Sequence, residues 1–321
     1  MKYLITLNPL EPFLFGGDNT FGKKGDKEGG TYLVKSREFP QQSAILGMLK
    51  KEIMIQAGVL TKKVRGEWVD KNKKQQAKEL VGVEKFDITS HHEQNFGVIE
   101  SLSPIFLLKE NKAYIKKVDS DSYPYENGLL KDYKSKIDIY DNFISLDAKE
   151  KLKSSDIFEA VFQTGNKTGG EENSLFKKTT YLLKDKFVFA FYAELDFELQ
   201  NSIITLGADR SSFKMSIQKN DKKLDYHDKN GYLTLLSDAY ITLDITKNCE
   251  FAITSEISFQ SLQNIKHVTK HNEFKKSKKV FLYQKGSIFI NPSEELLENL
   301  NNKNCQKIGY NIYTYTKGQH S

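Results

Sequence analysis

Two periodicities alternate along this chain, and their order leaves few folds open. Tyr3, Ile5 and Leu7 alternate with Leu4, Thr6 and Asn8, so the chain opens with a strand that has one buried face. The next regular pattern is helical, in SREFPQQSAILGMLKKEIM (Ser36–Met54). At about 100° per residue, Ile45, Leu49 and Ile53 fall on one stripe, the expected core face. A Lys/Gln-rich helix is expected around Asn72–Leu80. GVIESLSPIFLLKENKAYIKKVD then reads as strands joined by a turn at Glu110-Asn111-Lys112. A short helix is expected over Leu146–Leu152, and strands over Ser212–Gln218, Ala239–Ile245 and Glu250–Phe259. KKVFLYQKGSIFINP reads as a hairpin turning at Lys285-Gly286. Pro292 and Ser293 open a helix with Glu294 and Glu295 in its first turn, and KIGYNIYTYTKG closes the chain as a Tyr-rich strand. The sum is strand, helix, strand pair, more strands, helix, strand. This is an α+β pattern of the kind one or two ferredoxin-like (RRM-like) units with insertions produce. The polar segment 120–141 reads as an insertion with little core of its own.

The opening helix raises a question of chemistry. Pro40 suits a first helical turn, and Ser43 can satisfy a backbone N–H there. Ser43, Gly47 and Lys50 share a second face within roughly 60° of arc. A glycine in mid-helix costs about 1 kcal/mol against alanine. Two readings stand: another backbone packs against that face, or a phosphate chain lies there with Lys50 supplying charge.

Composition narrows the function classes. The 321 residues are 38% hydrophobic and 28% charged, enough for a sizeable core and two units. The 16 Tyr and 21 Phe beside only 6 Pro favour sheet packing over disorder. The formal charge of +6 is a mild basic excess that suits a polyanionic partner. Cys249 and Cys305 make neither a disulfide framework nor a CxxC pair, as expected in a reducing cytoplasm. MKYLITLNPLEPF is interrupted by Pro9 and Pro12 and does not read as a signal peptide. No apolar run approaches the ~18 residues of a membrane span, so a soluble, cytoplasmic protein is expected.

No GxxxxGK[ST], HExxH, GxSxG or paired CxxC occurs. His91 and His92 are adjacent and would point apart on a strand. Asp225, His227 and Asp228 border an Asn230-Gly231 turn, and His267 and His271 lie in a Lys-rich run. No catalytic or metal-binding set emerges, and no cofactor is expected. What accumulates is contact chemistry beside aromatic strands. The loop FGGDNTFGKKGDKEGG holds six of the 20 glycines, with Lys23 and Lys24 among its charges. A second loop, QTGNKTGG, spans 163–170. LGADRSSF offers Arg210 and Ser211 after a glycine, a plausible grip on phosphate.

The ordered set PLEPFLF, the Gly-rich loop, S-x-x-x-P-x-x-S-x-x-x-G-x-L-K, TGNKTG, SLFKKTTYLL, LGADRSSF, KGSIFI and GYN resembles the third subunit of type III-B CRISPR (Cmr) complexes, a RAMP-superfamily protein. The resemblance implies two ferredoxin-like RAMP units, 1–185 with an insertion at about 110–160, and 186–321. It implies a non-catalytic scaffold in an RNA-guided antiviral complex. Such a subunit grips the crRNA 5′ tag and joins the large polymerase/cyclase subunit to the backbone RAMP subunits. One of its hairpins wedges into the guide–target RNA duplex. The resemblance places RNA contacts at Lys23, Lys24, Arg37, Gln42, Ser43, Gly47, Lys50, Thr164, Lys167, Thr168, Arg210, Ser211, Gly309, Tyr310 and Asn311. The sequence departs from the family pattern at Asn19-Thr20, where an Arg-Pro pair is common, and in keeping only Pro40 before the helix. Two alternatives stand beside this reading: a RAMP-family pre-crRNA endoribonuclease, and the equivalent subunit of a type III-A complex. The first commonly uses an early histidine, and no histidine precedes His91.

Overall fold

The computed structural model describes residues 1–16, 32–61, 63–64, 67–68, 70–120, 122–134, 139–166, 175–184, 186–221, 224, 231–260, 262–265 and 273–316. It is a strand-rich α+β fold organised around the opening strand. Lys2–Pro9 is central because both its edges are hydrogen-bonded, to Val188–Leu195 on one side and Ser211–Lys219 on the other, both antiparallel. Ile5 faces Phe191 in one register and Ile217 in the other. The sheet continues outward through Phe106–Lys109, Lys112–Lys116, Asn142–Ser145 and Lys151–Lys153, and ends on its other edge at Ser202–Leu206. It therefore draws strands from both sides of residue 185.

Alternation along the opening strand gives the sheet two different faces. Tyr3, Ile5 and Leu7 point into the main core, where they meet Ile45, Leu49 and Ile53 of the helix Gln42–Gln56. All three helix residues are fully buried, as the 100° stripe requires. Leu4 points the other way, into a second cluster with Phe106, Ile115, Ala190 and Leu236. There a smaller antiparallel sheet, ordered Phe251–Ile253, Ile288–Ile290, Tyr232–Leu235, Tyr313–Thr316, packs with the helix Glu294–Leu300. Ser293 caps that helix by accepting from Leu296 N, the expected chemistry for its position. A third sheet pairs the long hairpin Phe158–Asn166/Leu175–Leu183 with Tyr32–Lys35, the latter in parallel.

Several local expectations are corrected. Leu146–Leu152 is not a helix. It is a turn followed by the strand Lys151–Lys153, and the single helical turn comes later, at Ser154–Ile157. Ala239–Ile245 carries one bridge, Ala239 to Tyr283, before Asp244 caps the short helix Ile245–Asn248. Lys285-Gly286 is a turn without a hairpin. Val280–Tyr283 pairs with Glu256–Phe259, whereas Ile288–Ile290 pairs with Tyr232–Leu235 and Phe251–Ile253, so the chain changes sheets at the glycine. The segment 120–141 is tied in by Val118 and Ile139, which share a core with Tyr232, Ile253 and Ile288. The Tyr-rich end splits into the short helix Lys303–Lys307 and the strand Tyr313–Thr316.

Candidate nucleic-acid interface

The segment between the strand Tyr32–Lys35 and the long helix is held in an extended path by its own polar groups. Ser36 N donates to Thr179 O at 2.9 Å, and Ser36 Oγ accepts from Phe15 N at 2.8 Å. Arg37 N donates to Phe15 O at 3.0 Å. The strand Leu175–Leu183 and the isolated bridge to Phe15 thus fix the backbone from which Arg37 and Glu38 project. Arg37 Nη2 donates to Ser258 O at 2.7 Å, while its Nη1 is buried without a hydrogen-bond partner. A buried, unpaired guanidinium nitrogen leaves a desolvation cost of about 1–3 kcal/mol or more uncompensated. Native interiors rarely keep such an atom, so this one sets Arg37 apart from the other described side chains of the segment.

Around it lies a cavity of about 220 Å³, lined by Lys35, Arg37, Glu38, Lys116, Asp238 and Lys285 together with Phe39, Tyr181, Ile257 and Gln284. Lys116 Nζ pairs with Glu38 at 2.8 Å, and Glu38 also takes a hydrogen bond from Ser154 Oγ. Lys285 is buried, with its Nζ 3.9 Å from the centre of the Phe39 ring and 3.3 Å from Ile105 O. Burial pulls its pKa down to about 8, although Asp238 opposes the shift. The Asp238 carboxylate receives Lys285 N at 2.9 Å. Gly286, at φ +87°, turns the chain where a Cβ would stand 3.2 Å from the Lys116 carbonyl. Four cations therefore face two carboxylates, one of which Lys116 already neutralises. Small-molecule sites begin at about 300 Å³. This cavity suits one anionic or hydrogen-bonding group of a longer chain better than a whole ligand.

The hairpin Phe158–Leu183 offers a second surface. Phe162 is 64% exposed, and Lys177 Nζ sits 5.2 Å from its ring centre. Thr164 is exposed two residues along on the same face. Lys178, on the opposite face, reaches Asp209, which sets the Gly207–Arg210 turn beside that face. Arg210 is exposed there at φ +56°.

The other expected contacts divide. Lys23, Lys24, Lys167 and Thr168 lie outside the described residues, as do His227, His267 and His271. Gly47 is exposed, and a Cβ there would meet nothing within 4 Å, so no backbone of the described residues packs against it. Lys50 is not free on that face. Its Nζ donates to Glu84 O at 3.0 Å and lies 4.6 Å from the Phe96 ring, and burial lowers its pKa to about 8. The helix N-terminus is closed internally. Pro40 precedes the cap residue Gln41, and Ser43 N donates to the Tyr310 hydroxyl at 3.4 Å.

The GYN motif is likewise structural. Gly309, at φ +86°, leaves room for the Gln42 side chain, which donates to Ser103 O and Ile308 O. Tyr310 is fully buried and stacks on Phe86, and burial raises its phenol pKa. Asn311 bonds both backbone groups of Tyr240. Ser211 is buried and donates to Pro12 O. Arg37, Arg210 and Thr164 thus keep a surface or cavity role. Lys116, Lys285, Phe162 and Lys177 stand beside them in the cavity or on the hairpin surface, without having been singled out from sequence. KGSIFI contained Lys285, but as part of a turn.

Among the described residues no cluster of three His, Cys, Asp or Glu side chains is arranged to hold a metal ion. No helix among them is long and apolar enough to cross a membrane.

No family model matches the chain, and no curated protein does. Solved structures do. One chain of the cryo-EM structure of the type III-B Cmr-beta complex bound to cognate target RNA matches with a TM-score of 0.55 and 14% identity, covering 99% of this chain and 99% of that one. A chain of the same complex with cognate target RNA and AMPPnP, in state 1, matches with a TM-score of 0.53 and 14% identity over 98% and 99%. At this identity the likeness is one of fold, and it extends over essentially the whole of both chains.

Proposed function

We propose that this chain is a non-catalytic, RNA-binding scaffold subunit of a type III-B CRISPR effector complex. It holds the 5′ tag of the crRNA and joins the large polymerase/cyclase subunit to the backbone RAMP subunits. The end-to-end fold likeness to a chain of an RNA-bound Cmr-beta complex supports the setting. The Arg37 side chain in the wall of a cation-lined cavity, with one guanidinium nitrogen left without a partner, carries the reading of the site. Anchored through Nη2, this guanidinium is held rigidly at the cavity wall, and phosphate or base-edge recognition favours such a fixed fork. The cavity's small volume fits one group of a polymer.

The test is co-expression with the companion subunits, purification of the ribonucleoprotein and sequencing of the retained RNA. The wild type should retain RNA with a uniform 5′ tag. Arg37→Ala should lose most of that RNA, and Arg37→Lys should not restore it, because lysine lacks the forked geometry. Circular dichroism melting of each variant separates a lost contact from a lost fold. Full retention by a folded Arg37→Ala protein would refute the site.

A further inference from the structure

The ribbon Glu256–Phe259/Val280–Tyr283 has two unlike faces. Ile257, Phe259, Val280 and Leu282 turn inward, and Phe259 and Leu282 are 4% and 1% exposed in the main core. Ser258 and Phe281 are cross-strand partners on the outward face. Phe281 is 54% exposed, and Lys279 Nζ stands 5.1 Å from its ring centre. The inward face fixes the ring's position, since the strand that carries it is anchored by Leu282. The ribbon continues as Leu262–Ile265/Glu273–Lys276, and the sequence sets lysines at 275, 276, 278 and 279. Its base adjoins the cavity. Ser258 O is the acceptor of Arg37 Nη2, and Ile257, Gln284 and Lys285 line the cavity wall.

We propose that Phe281 and Lys279 form a stacking platform for an unpaired RNA base, next to the Arg37 cavity and distinct from it. An exposed, rigidly held aromatic ring takes the face of any base, and clustered lysines neutralise the flanking phosphates. The same pairing of an outward phenylalanine with a lysine recurs at Phe162 and Lys177, on a different hairpin. Charge favours RNA over a protein partner here. Four lysines in five residues suit a polyanion and would repel basic protein surfaces. The inference rests on the reading of the chain as RNA-binding but not on the Arg37 contact.

The experiment is fluorescence anisotropy of the full-length chain with a labelled, unstructured RNA of about 12 nucleotides. Phe281→Ala should weaken binding about ten-fold or more, Phe281→Trp should preserve it, and Phe281→Leu should behave like alanine despite its bulk. Lys279→Ala should reduce the steepness of the log affinity against log salt plot by about 0.7. Wild-type binding with Phe281→Ala inside twofold of it overturns the platform and leaves the Arg37 site standing. Equal losses for Phe281→Ala and Phe281→Trp also overturn it, because stacking would then not be the interaction removed. If the wild-type chain binds no RNA, the platform and the RNA-binding reading fall together.

Discussion

Lys285 is the residue at which stability and ligand binding should pull apart. A buried ammonium with a pKa of about 8, against an ordinary 10.5, is a charge the fold holds at a cost. A depression of that size corresponds to about 3 kcal/mol between charged and neutral forms. Two contacts return part of it. The hydrogen bond to Ile105 O contributes about 1.5 kcal/mol, and the Phe39 ring about 1 kcal/mol. Lys285→Met keeps the aliphatic stem and removes the ammonium with both contacts. The variant should therefore be neutral to about 2 kcal/mol more stable at pH 7. Its crRNA retention should fall, since one cation of the cavity is gone.

The pH dependence isolates the cause. Because the folded-state pKa is lowered, the unfolded chain binds more protons between pH 8 and 10.5, so this lysine's penalty fades as pH rises through that window. Urea denaturation of wild type and variant at pH 7 and pH 10 should show the variant's relative stability shrinking by about 2 kcal/mol. Taking the difference cancels the buried Cys305 thiol, raised to about 12, and the raised Tyr310 phenol, which both proteins share. A variant more than about 2 kcal/mol less stable than wild type at pH 7 would show that Lys285 braces the fold, and the reasoning from its burial would fail.

Two glycines make opposite predictions. Gly47→Ala should raise the melting temperature, by up to about 1 kcal/mol of helix propensity, because a Cβ there meets nothing. Differential scanning calorimetry showing a loss instead would mean that something packs on that face. Gly47→Gln should leave the fold intact in the same scan, and crRNA retention by that variant reports whether RNA uses the face. Gly309→Ala should destabilise by about 2–4 kcal/mol in urea titration, since its Cβ would stand 2.6 Å from Ser103 O in a left-handed backbone. A change below about 1 kcal/mol would refute this, because it would require the Ser103 backbone to give way at little cost.

Local periodicity was enough to read the elements that local forces make. The Ile45/Leu49/Ile53 stripe, the Glu110-Asn111 turn and the Ser293 cap each depend on neighbours within a few residues. The pairing of Lys2–Pro9 with strands near residues 190 and 215 left no such trace, because nothing in one strand specifies which distant edge it will meet. The cavity shows the same limit in chemical form. Arg37, Lys116 and Lys285 come from separate sheets and turns, so no spacing joins them. GYN was ambiguous for a different reason. A glycine, an aromatic and an amide are the residue types of a ligand contact and equally those of a tight buried junction. Only the Gln42 side chain filling the space at Gly309 decides between the two.

Lys50 and Lys285 sharpen that point. Burial lowers both to about 8, and each ammonium sits over an aromatic ring and bonds one backbone carbonyl. By titration alone they are equivalent, and the sequence favoured Lys50. What separates them is the surroundings. Lys50 is set between the helix and the loop carrying Glu84 and Phe96, where it ties two elements together. Lys285 lines a cavity beside a guanidinium nitrogen that has no partner. A lowered lysine pKa marks cost, and cost is ambiguous between a brace and a binding group. An unsatisfied donor on a residue of the same cavity wall weighs the proposal toward a binding group at Lys285, because a brace has no use for an incomplete neighbour.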